Sequence, residues 1–137
     1  MVKPELLEAY KRTEFIVDLP DQQTVIWHGK RNDVIERILS EHTAKAGAFI
    51  TAHNPRSQRL SDGENYERHR LLIADVEKQG FAYLTGRGVG EDHSWPTEES
   101  VFVIGTTRDQ ATALGTKYGQ LAIVWFELGR APEVVLC

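Results

Sequence analysis

His53, Asn54, Arg56, Arg59, Asn65, Arg68 and His69 fall within one short stretch, AFITAHNPRSQRLSDGENYERHR, from Ala48 to Arg70. Hydrogen-bond donors and positive charge gather there around a single break in the chain. The stretch begins as an apolar strand. It is interrupted at Asn54-Pro55, because proline pushes the residue before it out of helical geometry. It resumes as a helix, for which Ser61 and Glu64 form the S-x-x-E pattern of a capping box. A strand end beside a helix N-terminus suits an anion, since the first amides of the helix point outward with their hydrogens free. The arginines would supply charge, and Asn54 and Asn65 directed hydrogen bonds.

The helix that follows strengthens the case. Its apolar stripe is Leu72, Ile73 and Val76, and helical steps of three and four carry that stripe back to His69 and Asn65. Two polar residues thus continue the core-facing side, and such groups must be satisfied by protein, water or ligand. The competing reading is structural: Asn54-Pro55 makes a turn, Asn65 braces it, and the arginines are solvated.

A second constellation is His93-Ser94-Trp95-Pro96-Thr97-Glu98-Glu99-Ser100. The adjacent glutamates suggest paired-carboxylate chemistry, but neighbours on a strand point to opposite faces. Glu98 shares parity with Ser100 and Phe102, and Glu99 with Val101 and Val103. One glutamate at most faces a given pocket, where it would serve as a general base or orient a ligand. Trp95 would stack on a ring or act as a core lid. Gln120 either reads a polar ligand edge or joins helix to strand.

Other patterns fail on spacing. Gly86-Arg87-Gly88-Val89-Gly90 is neither GxGxxG nor a P-loop and reads as a glycine-punctuated loop. The five histidines contain no HExxH, so convergence of His53, His69, His93 and Glu99 on a metal is not expected. Ser100 lies outside any GxSxG elbow. No cofactor is expected.

The elements that must position these residues read as α+β. The chain is expected to be a single domain over residues 1–137, a mostly antiparallel twisted sheet with about three packed helices. At 137 residues it is long enough to bury a substantial core. A net charge of -4 argues against nucleic acid as a partner. The single cysteine, Cys137, leaves no internal disulfide, and a cytoplasmic setting is expected. No apolar run has the length of a membrane span. The N-terminal MVKPELLEAYKR is too charged for a signal peptide.

Four blocks together carry a resemblance: AFITAHNP, the helix with Asn65 and Arg68, WPTEESVFVIG, and a helix ending in YGQLAIVW. In this order they resemble the bacterial family catalogued as domain of unknown function 3293, over about residues 47 to 127. The resemblance implies that Asn54, Pro55, Asn65, Arg68, Trp95, Glu98, Glu99, Ser100 and Gln120 occupy the family's polar positions. Family members often carry an aromatic residue just before the Asn-Pro pair, where this chain has His53. The resemblance brings no activity with it.

Three functions follow as expectations. The first is binding of a small anionic or nucleotide-like molecule between the 48–53 strand end and the 62–79 helix N-terminus. Asn54, Arg56, Asn65, Arg68, His69, Trp95 and Gln120 would hold it. The second is a small enzyme in the same pocket, with His53, Glu98 or Glu99 as general base. The third is a protein-interaction or inhibitor subunit, which needs no pocket.

Overall fold

The computed structural model describes residues 2–93 and 95–137; Met1 and Ser94, the latter beside the expected Trp95 block, lie outside the described residues. The chain begins with helix α1 (Pro4–Lys11), which has proline in its first turn. Strands β1 (Glu14–Asp18) and β2 (Gln23–Ile26) make a hairpin. Helix α2 (Asp33–Glu41) follows, capped by the Asn32 side chain on the Ile35 amide. Next come β3 (Ala46–Thr51), a short 3-10 turn (Pro55–Ser57) and helix α3 (Asp62–Lys78). Strands β4 (Ala82–Val89) and β5 (Glu98–Ile104), helix α4 (Arg108–Lys117), β6 (Ala122–Glu127) and β7 (Glu133–Leu136) complete the order.

The seven strands join one sheet in the order β2-β1-β4-β5-β3-β6-β7, and every pairing is antiparallel. The α+β reading is therefore correct. The helix count is four rather than about three, because Pro4–Lys11 forms a separate helix although it buries none of its residues. The glycine-punctuated loop is also corrected. Gly86, Arg87, Gly88 and Val89 are the second half of β4 and pair with β1 and β5. Glycine is needed at Gly86 because a Cβ there would lie 2.0 Å from the Ile16 carbonyl oxygen.

Alternation along the strands makes two cores. On one face, Ala48, Ile50, Val101, Val103, Ile123 and Trp125 meet Leu72 and Val76 of α3 and Leu114 and Tyr118 of α4. On the other, Val17, Phe49, Phe102, Val124 and Phe126 meet Ile35 and Leu39 of α2. Side chains such as Phe102, Phe126 and Leu39 are fully buried, each contributing roughly 2–3 kcal/mol of transfer free energy.

That second face is uneven, and the unevenness makes space. At one end it carries Leu84, Phe102, Ile104 and Phe126, and α2 covers them. At the other end the same parity delivers Gly88, Ser100, Thr51 and Ala122. These small residues cannot fill the gap below α1. Among the described residues no helix is long and apolar enough to cross a membrane.

Candidate functional site

The site is built around a loop held in an uncommon backbone conformation. After β3, Asn54 has φ 47 and ψ 63, and Arg56 and Ser57 follow with φ 55 and 57. Left-handed backbone is tolerated by asparagine but costs most other residues about 1–3 kcal/mol each, so surrounding contacts must enforce it. Those contacts are specific. The Asn54 amide donates to Asn65 Oδ1 at 2.9 Å. Its side-chain carbonyl accepts from the Leu60 amide at 2.8 Å and Asn65 Nδ2 at 2.9 Å. Because the Leu60 amide can only donate, the Asn54 oxygen must face it, and the Asn54 nitrogen is thereby turned the other way. That nitrogen donates to Glu98 Oε2 at 2.7 Å. Asn54 is 2% exposed.

The loop is also sewn to the C-terminal end of α4. The Arg56 amide donates to the Gly119 carbonyl at 2.7 Å, and Gln120 Nε2 donates to the His53 carbonyl at 2.9 Å. Gly119 has φ 71, and a Cβ on it would meet Pro55 Cβ at 2.7 Å, so only glycine permits this approach. The Arg68 guanidinium donates through Nε to the Ala52 carbonyl at 2.7 Å and through a terminal nitrogen to the Tyr118 carbonyl.

Below this loop, between α1 and the small-residue end of the sheet, lies a cavity of about 600 Å³. Leu6, Ala9 and Tyr10 of α1 line it from above, and Phe15, Phe49, Ala122 and Val124 from the sheet. Tyr10 and Ser57 share a hydrogen bond of 2.7 Å between their hydroxyls, tying α1 to the loop. Arg12 and Glu91 pair at 2.8 Å at the rim. Glu98 is the acid group held beside Asn54. Its Oε2 accepts from Asn54 and, at 3.3 Å, from Trp95 Nε1. Among the described residues no hydrogen bond is made to its Oε1. Burial raises the Glu98 pKa above the ordinary carboxylate value, while the Asn54 and Trp95 hydrogen bonds pull it down.

On the other side of Asn54, against α3, lies a crevice of about 310 Å³ lined by His53, Asn65, His69, Glu99 and Arg59 among others. The His53 and His69 rings meet edge to face, with centroids 6.0 Å apart. His53 Nε2 and His69 Nδ1 are buried without a hydrogen-bond partner. Burial, followed by the charge of the neighbouring imidazole, pushes the His53 pKa down to about 4. Burial also lowers the pKa of His69.

The residues singled out from sequence are thus divided between two spaces. Asn54, Trp95, Glu98, Ser100 and Gln120 line the cavity. His53, Asn65, His69 and Glu99 line the crevice, as does Asn54 from its other side, and this crevice occupies the expected place between strand end and helix N-terminus. Arg56 is exposed and lines neither. Arg68 is turned onto two backbone carbonyls. His93 is exposed and lies in neither space. No group of three or more metal-ligating side chains occurs among the described residues. Sequence reasoning missed Tyr10, Ser57, Thr51 and Ala122. The two-residue spacing of Gly86, Gly88 and Gly90 was the available signal, since it marks one face of a strand.

This arrangement defines an α+β domain in which a half-buried acid group borders a mostly apolar cavity. A family model described as "Protein of unknown function (DUF3293)" matches residues 50–123, over half of the chain. The chain belongs to that family. The match includes Asn54, Asn65, Glu98 and Gln120 but not α1, which roofs the cavity. No curated protein and no solved structure matches the chain.

Proposed function

We propose that the chain binds a small molecule in the cavity between α1 and the sheet, with Glu98 as its polar anchor. The observation that carries this reading is the setting of Glu98. One carboxyl oxygen is fixed by Asn54 and Trp95, and the other has no hydrogen bond from the described residues. A mostly apolar space with a few converging polar groups is the usual form of a ligand site, and about 600 Å³ is an ordinary size for one. Asn54, Trp95, Gln120 and Ser100 are the further contact residues. Asn65 and Arg68 act through the loop: one fixes Asn54, and the other ties Ala52 to Tyr118. An anion held by Arg56 and Arg68, as expected from sequence, finds less support, because neither guanidinium lines the cavity.

The test is a fragment screen followed by backbone amide NMR. Hits are expected to shift Phe49, Thr51, Glu98 and Ala122 together, and Ala122→Trp, which fills the cavity, is expected to abolish those shifts. Hits that map only around His53 and His69, or none at all, would overturn the reading.

A second reading is favoured by one observation. A glutamate at a cavity wall whose pKa is raised by burial fits a role in proton transfer, so Glu98 would act as a general acid or base on the bound molecule. Turnover of the identified ligand by the parent protein that is lost in Glu98→Gln even at saturating ligand would distinguish the enzyme from the binding domain.

A further inference from the structure

Resting on the cavity reading above, we infer that the buried end of the ligand is a nitrogen group rich in hydrogen-bond donors, an amine, amidine or guanidine, carried on an apolar body. At the polar end of the cavity the Thr51, Ser100, Trp95 and Gln120 side-chain donors are committed internally, whereas the Glu98 and Gln120 side-chain oxygens keep lone pairs. The Thr51 hydroxyl donates to the Glu99 carbonyl at 2.7 Å, and the Ser100 hydroxyl donates to the Glu98 carbonyl at 3.0 Å. Trp95 Nε1 is directed to Glu98. The Gln120 amide nitrogen donates to the His53 and Tyr118 carbonyls, and among the described residues its Oε1 takes no hydrogen bond. Glu98 Oε1 is in the same state. Two side-chain oxygens, Glu98 Oε1 and Gln120 Oε1, are thus available as acceptors, and a donor-rich group satisfies them.

Charge points the same way independently. Among the described lining residues Glu98 has no cationic partner, and the Arg12 guanidinium is paired with Glu91. A ligand carboxylate or phosphate placed at Glu98 would bring like charges together, which selects against it. An ammonium or amidinium would instead form a charge-assisted bond with Glu98, stronger than a neutral one. The apolar body is required by the remaining walls, Leu6, Phe15, Phe49, Val124 and Val134.

The probes are 4-phenylbutylamine, 4-phenylbutyrate and butylbenzene, which share a body and differ in the terminal group. Each is titrated into the full chain at neutral pH and followed at the Phe49, Glu98 and Ala122 amides. The amine is expected to bind at least about tenfold more tightly than the carboxylate, the margin a charge-assisted hydrogen bond provides. Glu98→Gln, checked for folding by its melting curve, is expected to remove that preference while retaining butylbenzene binding. If butylbenzene or the carboxylate binds at these amides as tightly as the amine, the donor inference is overturned and the cavity reading stands. An amine preference unchanged in Glu98→Gln also overturns it. If none of the three probes shifts these amides, the cavity reading itself fails.

Discussion

The cavity under α1 and the crevice beside α3 share one wall, Asn54, yet they differ in every property that governs chemistry. The cavity is large and mostly apolar, with Glu98 held beside Asn54 at its polar end. The crevice is about half the volume and contains two imidazoles with unpartnered buried nitrogens. Burial acts on both but with opposite consequences, because it always disfavours the charged form. It raises the pKa of Glu98 and lowers those of His53 and His69. The same desolvation therefore leaves an acid tending to hold its proton on one side of Asn54 and bases tending to refuse one on the other.

The largest expected effect comes from removing the shared wall. Asn54→Ala leaves the Leu60 amide, Asn65 Nδ2 and Glu98 Oε2 short of a partner, and puts alanine at φ 47. A buried polar group left unsatisfied costs roughly 1–3 kcal/mol, so a loss of about 3–5 kcal/mol is expected by urea denaturation. A loss below about 1 kcal/mol would mean that the two spaces are not held by one residue, and the comparison would break.

The next effect belongs to the crevice. The folded-state pKa of His53, about 4, lies below its unfolded value of 6.5, so the unfolded chain binds more protons between those limits. Stability is then full above pH 6.5 and falls as pH drops towards 4. Asp62 opposes the shift, and His69 and Arg68 reinforce it. Allowing for solvent screening of a half-buried group, the loss attributable to His53 is about 1–2 kcal/mol. His53→Phe keeps an aromatic ring against His69 and is expected to flatten this acid decline, read as melting temperature at pH 7 and pH 4.5. An unchanged decline would place the acid sensitivity elsewhere.

Local signals were legible in the sequence, and long-range ones were not. The capping box of Ser61 with Glu64 forms as expected because it lies within one helical turn, and Thr107 with Gln110 makes a second of the same kind. Strand parity separated Glu98 from Glu99, and the two do line different spaces. The helical stripe placed Asn65 on the core side, where it is 5% exposed. The role of Arg68 was not legible, because its acceptors are carbonyls 16 and 50 residues away. Nor was the cavity, which depends on where α1 lies over the sheet and on Gly88 belonging to a strand. Glycine runs resemble loops in propensity, and pairing with β1 and β5 overrides that preference here.

The smallest expected effect is the one that separates the two spaces most cleanly, because its sign is reversed. Burial raises the folded-state pKa of Glu98 above its ordinary value of 4.5, so between the two values the folded chain binds more protons than the unfolded chain. Its contribution is therefore most favourable below pH 4.5 and is lost as pH rises through the folded-state value. Glu98→Gln keeps an oxygen for Asn54 and Trp95 to donate to and removes the titration. The variant is expected to be more stable than the parent at pH 7–8, with the difference closing as pH approaches 4. A surplus at pH 7–8 has a plain physical meaning: the cavity holds an acid group in a place that stability alone does not favour, as ligand sites often do. Equal stability of the two proteins across the range would instead make Glu98 an ordinary solvated carboxylate, and the distinction between cavity and crevice would then rest on shape alone.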